Sequence, residues 1–294
     1  MKALVIISPV AGKGDHEAVR ETIARQFDAT RIEYEIHEVR GGDKPGEFVR
    51  ARLGDGFDLV VAVGGDGTVS GVFDGLHGSS IPLAIIPTGT GNLIAREFNI
   101  PTTLEDAVAL ITGAPRSMRI DAMKIGERVY VLNAGVGISA AVIAGTTRKS
   151  KRRLGRLAYF ATAVRMFPFG PRSLDVTVDG EKRAYRSVEV AISNCGILAK
   201  TLYPSGPEIR SDDGHIDICI LSMSTRLDYV RYLLGIISGR RAKAQFLAAE
   251  KSVAITCRFP LTAQADGDII GTTPINVDVL AGALTVLVPE APRS

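Results

Sequence analysis

The first third of the chain alternates between short apolar runs and amphipathic stretches. The apolar runs are 3–7, 59–63 and 83–86, each of the length expected for a strand buried on both faces. Apolar residues recur with helical spacing in three other segments, 15–27, 69–76 and 104–111. This alternation predicts an α/β fold with a doubly wound parallel sheet.

The pattern changes to β-type alternation after about residue 121. Strands are predicted at 128–132, 174–178, 188–193, 216–221, 253–257 and 275–280, with one amphipathic helix at 226–238. A glycine-rich turn is predicted at 133–137, which is either a further phosphate loop or, as we prefer, a structural packing segment. Asp179-Gly180 is a strong hairpin signal. We therefore expect an α/β domain over 1–121 and a β-rich domain with a helical cover over 122–294, whose last strand could return to the first domain.

A glycine-rich turn follows each of the three apolar runs of the first domain. The turn residues are Gly12, Lys13 and Gly14; Gly64, Gly65, Asp66, Gly67 and Thr68; and Thr88, Gly89, Thr90, Gly91 and Asn92. Such turns expose backbone N–H groups at a helix start, where a phosphate binds readily. Parallel strands end on one side of a sheet, so the turns are expected to converge. Thr68 is expected to cap the helix that follows it.

Composition narrows the class of protein. The chain has 294 residues, 46% of them hydrophobic, with a net charge of only +3, which gives no case for nucleic-acid binding. No apolar stretch reaches the roughly 18 residues that span a bilayer, and the start lacks a signal-peptide pattern. A cytoplasmic location is expected. The three cysteines are far apart in sequence, as is typical of reduced thiols.

Three motifs in this order resemble the diacylglycerol kinase catalytic-domain family, which includes sphingosine, ceramide and bacterial soluble lipid kinases. They are Ser-Pro-x-x-Gly-Lys-Gly at 8–14, Gly-Gly-Asp-Gly-Thr at 64–68 and Pro-Thr-Gly-Thr-Gly-Asn at 87–92. Gly-Gly-Asp-Gly alone is less specific, because NAD kinases and phosphofructokinases share it. The resemblance implies a nucleotide-binding first domain, a lipid-substrate second domain and an ATP-dependent lipid kinase. It also implies that Asp66 positions a catalytic Mg2+ or the γ-phosphate.

Two carboxylate clusters of the second domain also resemble family segments. In the first, Asp213 would give its carboxylate and Arg210 and His215 their carbonyl oxygens to a structural Mg2+; the alternative is an acidic turn. The second is Asp266-Gly267-Asp268, where the family usually has Asp-Gly-Glu. Asp268 would then be the general base for the lipid hydroxyl; the alternative is a polar hairpin turn.

Several positions depart from the family pattern. Gly71 stands where a Glu is common, Asp74 replaces an Asn, and Leu93 replaces an Asp. A threonine often found on the nucleotide side is not evident near 38–43. The departures at Gly71 and Asp268 leave open a non-catalytic nucleotide or lipid sensor. A kinase of a soluble acceptor such as NAD is the other alternative, although the second-domain segments and the missing carboxylate at 71 argue against it.

The densest basic run is Arg148–Arg153. It is either a solvated loop or a segment attracted to an anionic membrane surface, worth about 1 kcal/mol per basic residue. The expected partners are a lipid substrate at a membrane surface and no nucleic acid, and a homodimer is compatible with the sequence.

Overall fold

The chain forms two compact units. The computed structural model describes residues 1–8, 16–40, 42–113, 115–145, 171–202, 206–222, 228 and 244–290. The first unit comprises Met1–Ala122 and Gly282–Ser294, and the second comprises Met123–Ala281.

The first unit is built on a parallel sheet. Its elements are β1 (Lys2–Ile7), α1 (His16–Ala29), β2 (Glu33–Glu38), α2 (Pro45–Ala51), β3 (Leu59–Gly64), α3 (Asp66–Leu76), β4 (Leu83–Pro87), α4 (Leu93–Glu97), α5 (Leu104–Thr112) and the first part of β5 (Arg116–Ile125). The sheet order is β2-β1-β3-β4, with every pair parallel. The predicted α/β fold class is confirmed.

Buried apolar side chains explain why β3 and β4 lie inside this unit. Every residue of both strands is buried, as expected for strands covered on both faces. Helix α1 adds Ile23 and Phe27, both fully buried, to the same core, and α5 adds Ala107 and Val108. The carboxyl ends of the strands thus lead from a rigid core directly into the glycine turns.

Glycines allow α2 and α3 to approach each other closely. A Cβ added to Gly75 would lie 2.5 Å from the carbonyl oxygen of Gly46, and one added to Gly71 would lie 2.8 Å from Cγ of Pro45. Asp74, which is buried, lies 3.3 Å from the Arg50 guanidinium. Gly71 and Asp74, two departures from the family pattern, therefore both serve the packing of α2 on α3.

The second unit consists mainly of antiparallel strands. Its elements are the end of β5, β6 (Arg128–Tyr130), β7 (Asn133–Gly137), α6 (Ile138–Gly145), β8 (Arg172–Val178), β9 (Glu181–Ser187), β10 (Glu189–Ser193), α7 (Gly196–Leu202), β11 (Ile216–Leu221), β12 (Ala244–Ala249), β13 (Ser252–Cys257), β14 (Thr262–Ala265), β15 (Asp268–Thr272) and most of β16 (Ile275–Val288). The predicted helix at 226–238 lies outside the described residues, apart from Asp228.

Two sheets share the core of this unit. One has the order β12-β11-β10-β7-β14-β15, and in the other β13 pairs with β8 and with the start of β16, and β8 pairs with β9. The core contains Val176 and Ile255 from one sheet and Ile192 and Ile218 from the other. The predicted β-rich second part of the fold is confirmed. The end of β16 returns to the first unit, where Val286 pairs with Leu83 of β4.

The segment 133–137 is a strand, so the predicted turn at this position is wrong. It forms β7, which pairs with β10 on one side and β14 on the other. Its glycines are needed for packing, because a Cβ on Gly137 would lie 2.2 Å from the carbonyl oxygen of Val188. Glycine composition alone indicated a turn, whereas the close approach of a neighbouring strand is what requires these residues.

A buried carboxylate holds the start of α6. Glu189 is 4% exposed and accepts hydrogen bonds from the backbone N–H of Ser139, at 2.8 Å, and from the Ser139 hydroxyl. Burial raises the pKa of Glu189 to about 7, although the hydrogen bonds from Ser139 and Ile138 oppose the shift. Folding therefore favours the protonated carboxyl group.

Replacing Gly75 by alanine is expected to lower the free energy of unfolding by about 2 kcal/mol, because the new methyl group would overlap the backbone of α2. Gly67→Ala in the same helix is the matched control, since nothing lies within 4 Å of its Cβ position. We expect that variant to unfold like the parent or to gain about 0.5 kcal/mol. Denaturant titration measures both, and equal losses in the two variants would contradict the packing argument.

Glu189 is expected to make the protein less stable as pH rises. Its folded pKa lies above the ordinary 4.5, so its contribution is fully present below pH 4.5 and is lost as pH rises through about 7. In the parent, Glu189 should contribute about 3 kcal/mol to the difference in the free energy of unfolding between pH 4.5 and pH 8, and Glu189→Gln should remove that contribution. Denaturant titration at the two pH values measures the difference. Glu181→Gln, at an exposed position on β9, should keep the parent's profile; a parent-like profile in Glu189→Gln would refute the assignment.

Candidate functional site

The turn after β3 starts a helix earlier than its sequence indicates. Gly65 is the N-cap residue with extended backbone, and α3 begins at Asp66. Thr68 lies inside the first turn, where its N–H donates to the Gly65 carbonyl at 3.0 Å, so its predicted capping role is wrong. Its side chain covers Gly64 instead, since a Cβ on Gly64 would lie 2.6 Å from Cβ of Thr68.

The turn after β4 packs directly on the turn after β3. The N–H of Thr88 donates to the carbonyl of Gly64 at 3.0 Å. A Cβ on Gly89 would lie 2.6 Å from Cα of Gly65, so the two backbones touch where both residues lack side chains. Asn92 has a left-handed φ of 46° and its Nδ2 donates to the Gly89 carbonyl at 2.9 Å. Two of the three predicted phosphate turns are thus in contact.

Asp66 connects the same two turns. Its Oδ1 accepts a hydrogen bond from the N–H of Ile94 at 2.9 Å, and the N–H groups of Leu93 and Asn92 also point to this carboxylate. Burial raises the pKa of Asp66, while these backbone donors act in the opposite direction. The carboxylate therefore fixes the start of α4 relative to the start of α3, a role that the sequence did not indicate.

The first unit has the features that suit a bound phosphate. The N–H of Thr68 already donates to the Gly65 carbonyl, but the N–H groups before it at the start of α3 precede the first intrahelical hydrogen bond, and the helix dipole adds positive potential there. Gly67, Thr90 and Gly91 are exposed, and the space around the Gly67 Cβ position is open. The third turn, with Gly12, Lys13 and Gly14, lies outside the described residues, as does Arg148–Arg153.

A metal ion finds few protein ligands at these turns. The described part of the chain holds no group of three or more His, Cys, Asp or Glu side chains that could bind a metal ion. Asp66 is the carboxylate that the described turns offer. Mg2+ commonly keeps several waters and binds through one or two carboxylates plus substrate phosphates. A single carboxylate therefore fits a nucleotide-borne Mg2+ better than a site made by the protein alone.

The predicted structural Mg2+ loop of the second unit contains clustered charges. The N–H of His215 donates to Oδ1 of Asp213 at 3.1 Å, whereas Arg210 pairs with Asp212 at 3.1 Å. Burial, and then the charge of Asp213, raise the pKa of Asp217 to about 6. Asp213 and Asp217 therefore influence each other electrostatically. The assignment of Arg210, Asp213 and His215 as Mg2+ ligands stays a prediction.

The two aspartates of the β14–β15 hairpin have different surroundings. Asp266 accepts three backbone hydrogen bonds, each 3.0 Å long, from the N–H groups of Val131, Leu132 and Asn133. Asp268 is exposed, and no described residue hydrogen-bonds to its carboxylate. Asp266 is thus a structural clamp that sequence reasoning missed, because its partners are over 130 residues away. Asp268 has a carboxylate available to a substrate.

Two family models together match most of the chain. The model of the diacylglycerol kinase catalytic domain matches residues 2–125. The model of the YegS C-terminal NAD kinase beta sandwich-like domain matches residues 132–288.

In the part of the chain that the structure describes, no helix is both long and apolar enough to cross a membrane.

Relatives that align with nearly the whole of this chain include proteins named diacylglycerol kinase. An uncharacterized protein of Synechocystis sp. is 27% identical over 97% of this chain and 70% of its own length. A protein of Mycobacterium tuberculosis named diacylglycerol kinase is 27% identical over 98% of this chain and 96% of its own. The crystal structure of a diacylglycerol kinase from Bacillus anthracis str. Sterne has a TM-score of 0.80 at 23% identity, covering 98% of this chain and 97% of that one. At that identity the structural likeness concerns the fold.

Two neighbouring substitutions in the hairpin are expected to differ in their effect on stability. Asp266→Asn should lower the free energy of unfolding by about 2 kcal/mol, because the neutral amide offers one acceptor oxygen instead of two. Asp268→Asn, two residues away on the same hairpin, should unfold like the parent. Thermal or denaturant unfolding compares them directly. A loss in Asp268→Asn equal to that in Asp266→Asn would show that both side chains are structural.

Proposed function

Since the chain belongs to the diacylglycerol kinase catalytic-domain family, we propose that it is an ATP-dependent lipid kinase that phosphorylates the free hydroxyl of diacylglycerol. The observation that carries the proposal is the direct contact between the glycine turns at 64–68 and 87–92. Relatives across nearly the whole chain that are named diacylglycerol kinase support the choice of acceptor.

The two glycine turns would bind the phosphates of the nucleotide. Phosphoryl transfer requires alignment of the reacting groups and neutralisation of charge, more than covalent participation by the protein. The N–H groups at the start of α3 can supply hydrogen bonds, and Mg2+ when bound neutralises phosphate charge. Asp66 holds α4 in register with α3 through the Ile94 N–H, so it keeps the second turn in place as well as offering a carboxylate.

Asp268 would accept the proton of the lipid hydroxyl. Its carboxylate is exposed and no described residue hydrogen-bonds to it, so both oxygens are open to a substrate hydroxyl. Asp266 fixes the preceding turn through three backbone hydrogen bonds, which holds the start of β15 in a defined position. The aspartate is one methylene shorter than the glutamate usual in the family, so the acceptor hydroxyl has to approach it more closely.

Transfer of radiolabelled phosphate from ATP with Mg2+ tests the reaction. The acceptors are diacylglycerol, monoacylglycerol, sphingosine and ceramide in mixed micelles. NAD is a soluble control, chosen because the description of the second family model likens its beta sandwich to that of NAD kinase. Labelled phosphatidic acid is the expected product. Label on NAD instead would overturn the lipid assignment, and transfer to no acceptor despite ATP binding would favour a sensor.

Asp268→Asn is expected to lower kcat at least about a hundredfold with little change in KM for ATP, because it removes a general base without touching the phosphate turns. Asp268→Glu, which restores the residue usual in the family, is the matched control and should keep activity within about tenfold of the parent. Steady-state kinetics with the acceptor identified above measures both. Unchanged turnover of Asp268→Asn would exclude Asp268 as the base.

A further inference from the structure

Three arginines and a phenylalanine lie at one end of the second unit. Strand β8 is antiparallel to both β9 and β13, so the start of β8 lies beside the ends of the other two. The pairs Arg172–Ser187, Ser173–Arg186 and Leu174–Cys257 are the last at this end, and Arg258 and Phe259 follow directly after β13. We call Arg172, Arg186, Arg258 and Phe259 the arginine–phenylalanine end.

Phe259 exposes a large apolar surface to water. It is 64% exposed, and Phe259, Met1 and Ile269 are the exposed large hydrophobic residues of the described chain. The guanidinium carbon of Arg258 lies 5.5 Å from the centre of the ring, so a charged group accompanies the aromatic side chain. Moving a ring in this position out of water lowers the free energy, provided that the neighbouring Arg258 guanidinium keeps polar or anionic surroundings.

Among the described residues, no carboxylate forms an ion pair with the arginines at this end. Arg172, Arg186 and Arg258 are exposed, and none of them has an ion-pair partner within 4.0 Å among the described residues. The other end of the same strands differs, because Lys182 pairs with Asp175 at 2.7 Å and Arg183 with Glu181 at 3.0 Å. Arginines without an ion-pair partner among the described residues therefore lie at the strand end that leads into Phe259.

We propose that the arginine–phenylalanine end docks on an anionic lipid bilayer, with Phe259 inserted at headgroup level and the arginines against headgroup phosphates. Basic side chains near an anionic leaflet and an aromatic ring at the interface are the two usual sources of peripheral binding. A specific protein interface buries about 800 Å² on each partner around a broader apolar centre, whereas one ring flanked by arginines suits a lipid surface. The purpose of the docking rests on the proposed lipid kinase function, but the binding is measurable without it.

A tryptophan in place of Phe259 reports insertion directly. The chain contains no tryptophan, so Phe259→Trp gives a single fluorophore at the proposed contact. Vesicles of phosphatidylcholine with phosphatidylglycerol should shift its emission to the blue, and brominated lipids should quench it. Lys251→Trp is the matched control, because it precedes the opposite end of β13, a strand about 20 Å long. Its emission should not respond to the vesicles.

Co-sedimentation of the full chain with vesicles measures the energetic contributions. Arg186→Gln and Arg258→Gln should each weaken binding to anionic vesicles about fivefold. Phe259→Ala should weaken it about tenfold. Arg183→Gln, with the same charge change at the paired end of β9, should bind like the parent. Thermal unfolding of each variant checks that the fold is unchanged.

The outcomes separate the docking surface from the proposed reaction. Parent-like vesicle binding of Phe259→Ala and both arginine variants would overturn the proposal. So would vesicle binding without a tryptophan shift, or a higher affinity for soluble polyaspartate than for anionic vesicles, which would point to an acidic protein partner. If the parent docks through this end but phosphorylates no lipid, the proposed function fails and the docking stands. If activity on vesicles is unchanged by these variants and equals that in micelles, the docking role fails and the kinase stands.

Discussion

The contact between Gly65 and Gly89 is the constraint on which the arrangement of the two glycine turns after β3 and β4 depends. Strands β3 and β4 are parallel neighbours, so they lie about 4.8 Å apart and their exits emerge side by side. Two turns leaving at that distance collide unless the touching residues lack side chains, and a Cβ on Gly89 would come within 2.6 Å of Gly65. The Thr88 N–H and the Asp66 carboxylate then join the turns by hydrogen bonds. The spacing of the strands, the glycines at the contact and the Asp66 carboxylate together determine where the starts of α3 and α4 lie relative to each other.

The sequence was sufficient to predict an element wherever neighbouring residues in the chain determine its conformation. Continuous apolar runs identified β1, β3 and β4, and Asp179-Gly180 identified the β8–β9 turn, where both residues adopt positive φ. Local patterns failed where a distant backbone decides the conformation. Glycines at 133–137 suggested a turn, yet Gly137 is a strand residue that permits close approach of Val188. The structural roles of Asp266 and Glu189 were not visible in the sequence, because the N–H groups that they bind come from segments far away along the chain.

Packing explains the two departures from the family pattern that lie in α3, Gly71 and Asp74. A missing carboxylate at 71 and an aspartate at 74 suggested a change in chemistry when only the sequence was considered. In the folded chain, position 71 contacts the Pro45 ring and Asp74 pairs with Arg50, so both residues are determined by the way α2 packs on α3. These two departures are therefore weaker arguments for a non-catalytic sensor than they were when only the sequence was considered. Leu93 has no such packing explanation.

The β14–β15 hairpin connects the two features of the second unit that bear on a lipid substrate. Strand β14 starts three residues after Phe259 and ends immediately before the turn that leads to Asp268, a distance of about 13 Å along four residues. Strand β15 then runs back at the edge of its sheet, where Ile269 is 44% exposed beside Asp268. If the loop at Phe259 rests in the headgroup layer, the hairpin holds Asp268 the length of one four-residue strand away from that loop, with the exposed side chain of Ile269 next to it. A hairpin that is clamped by Asp266 at its turn can keep that spacing fixed, which a mobile loop could not.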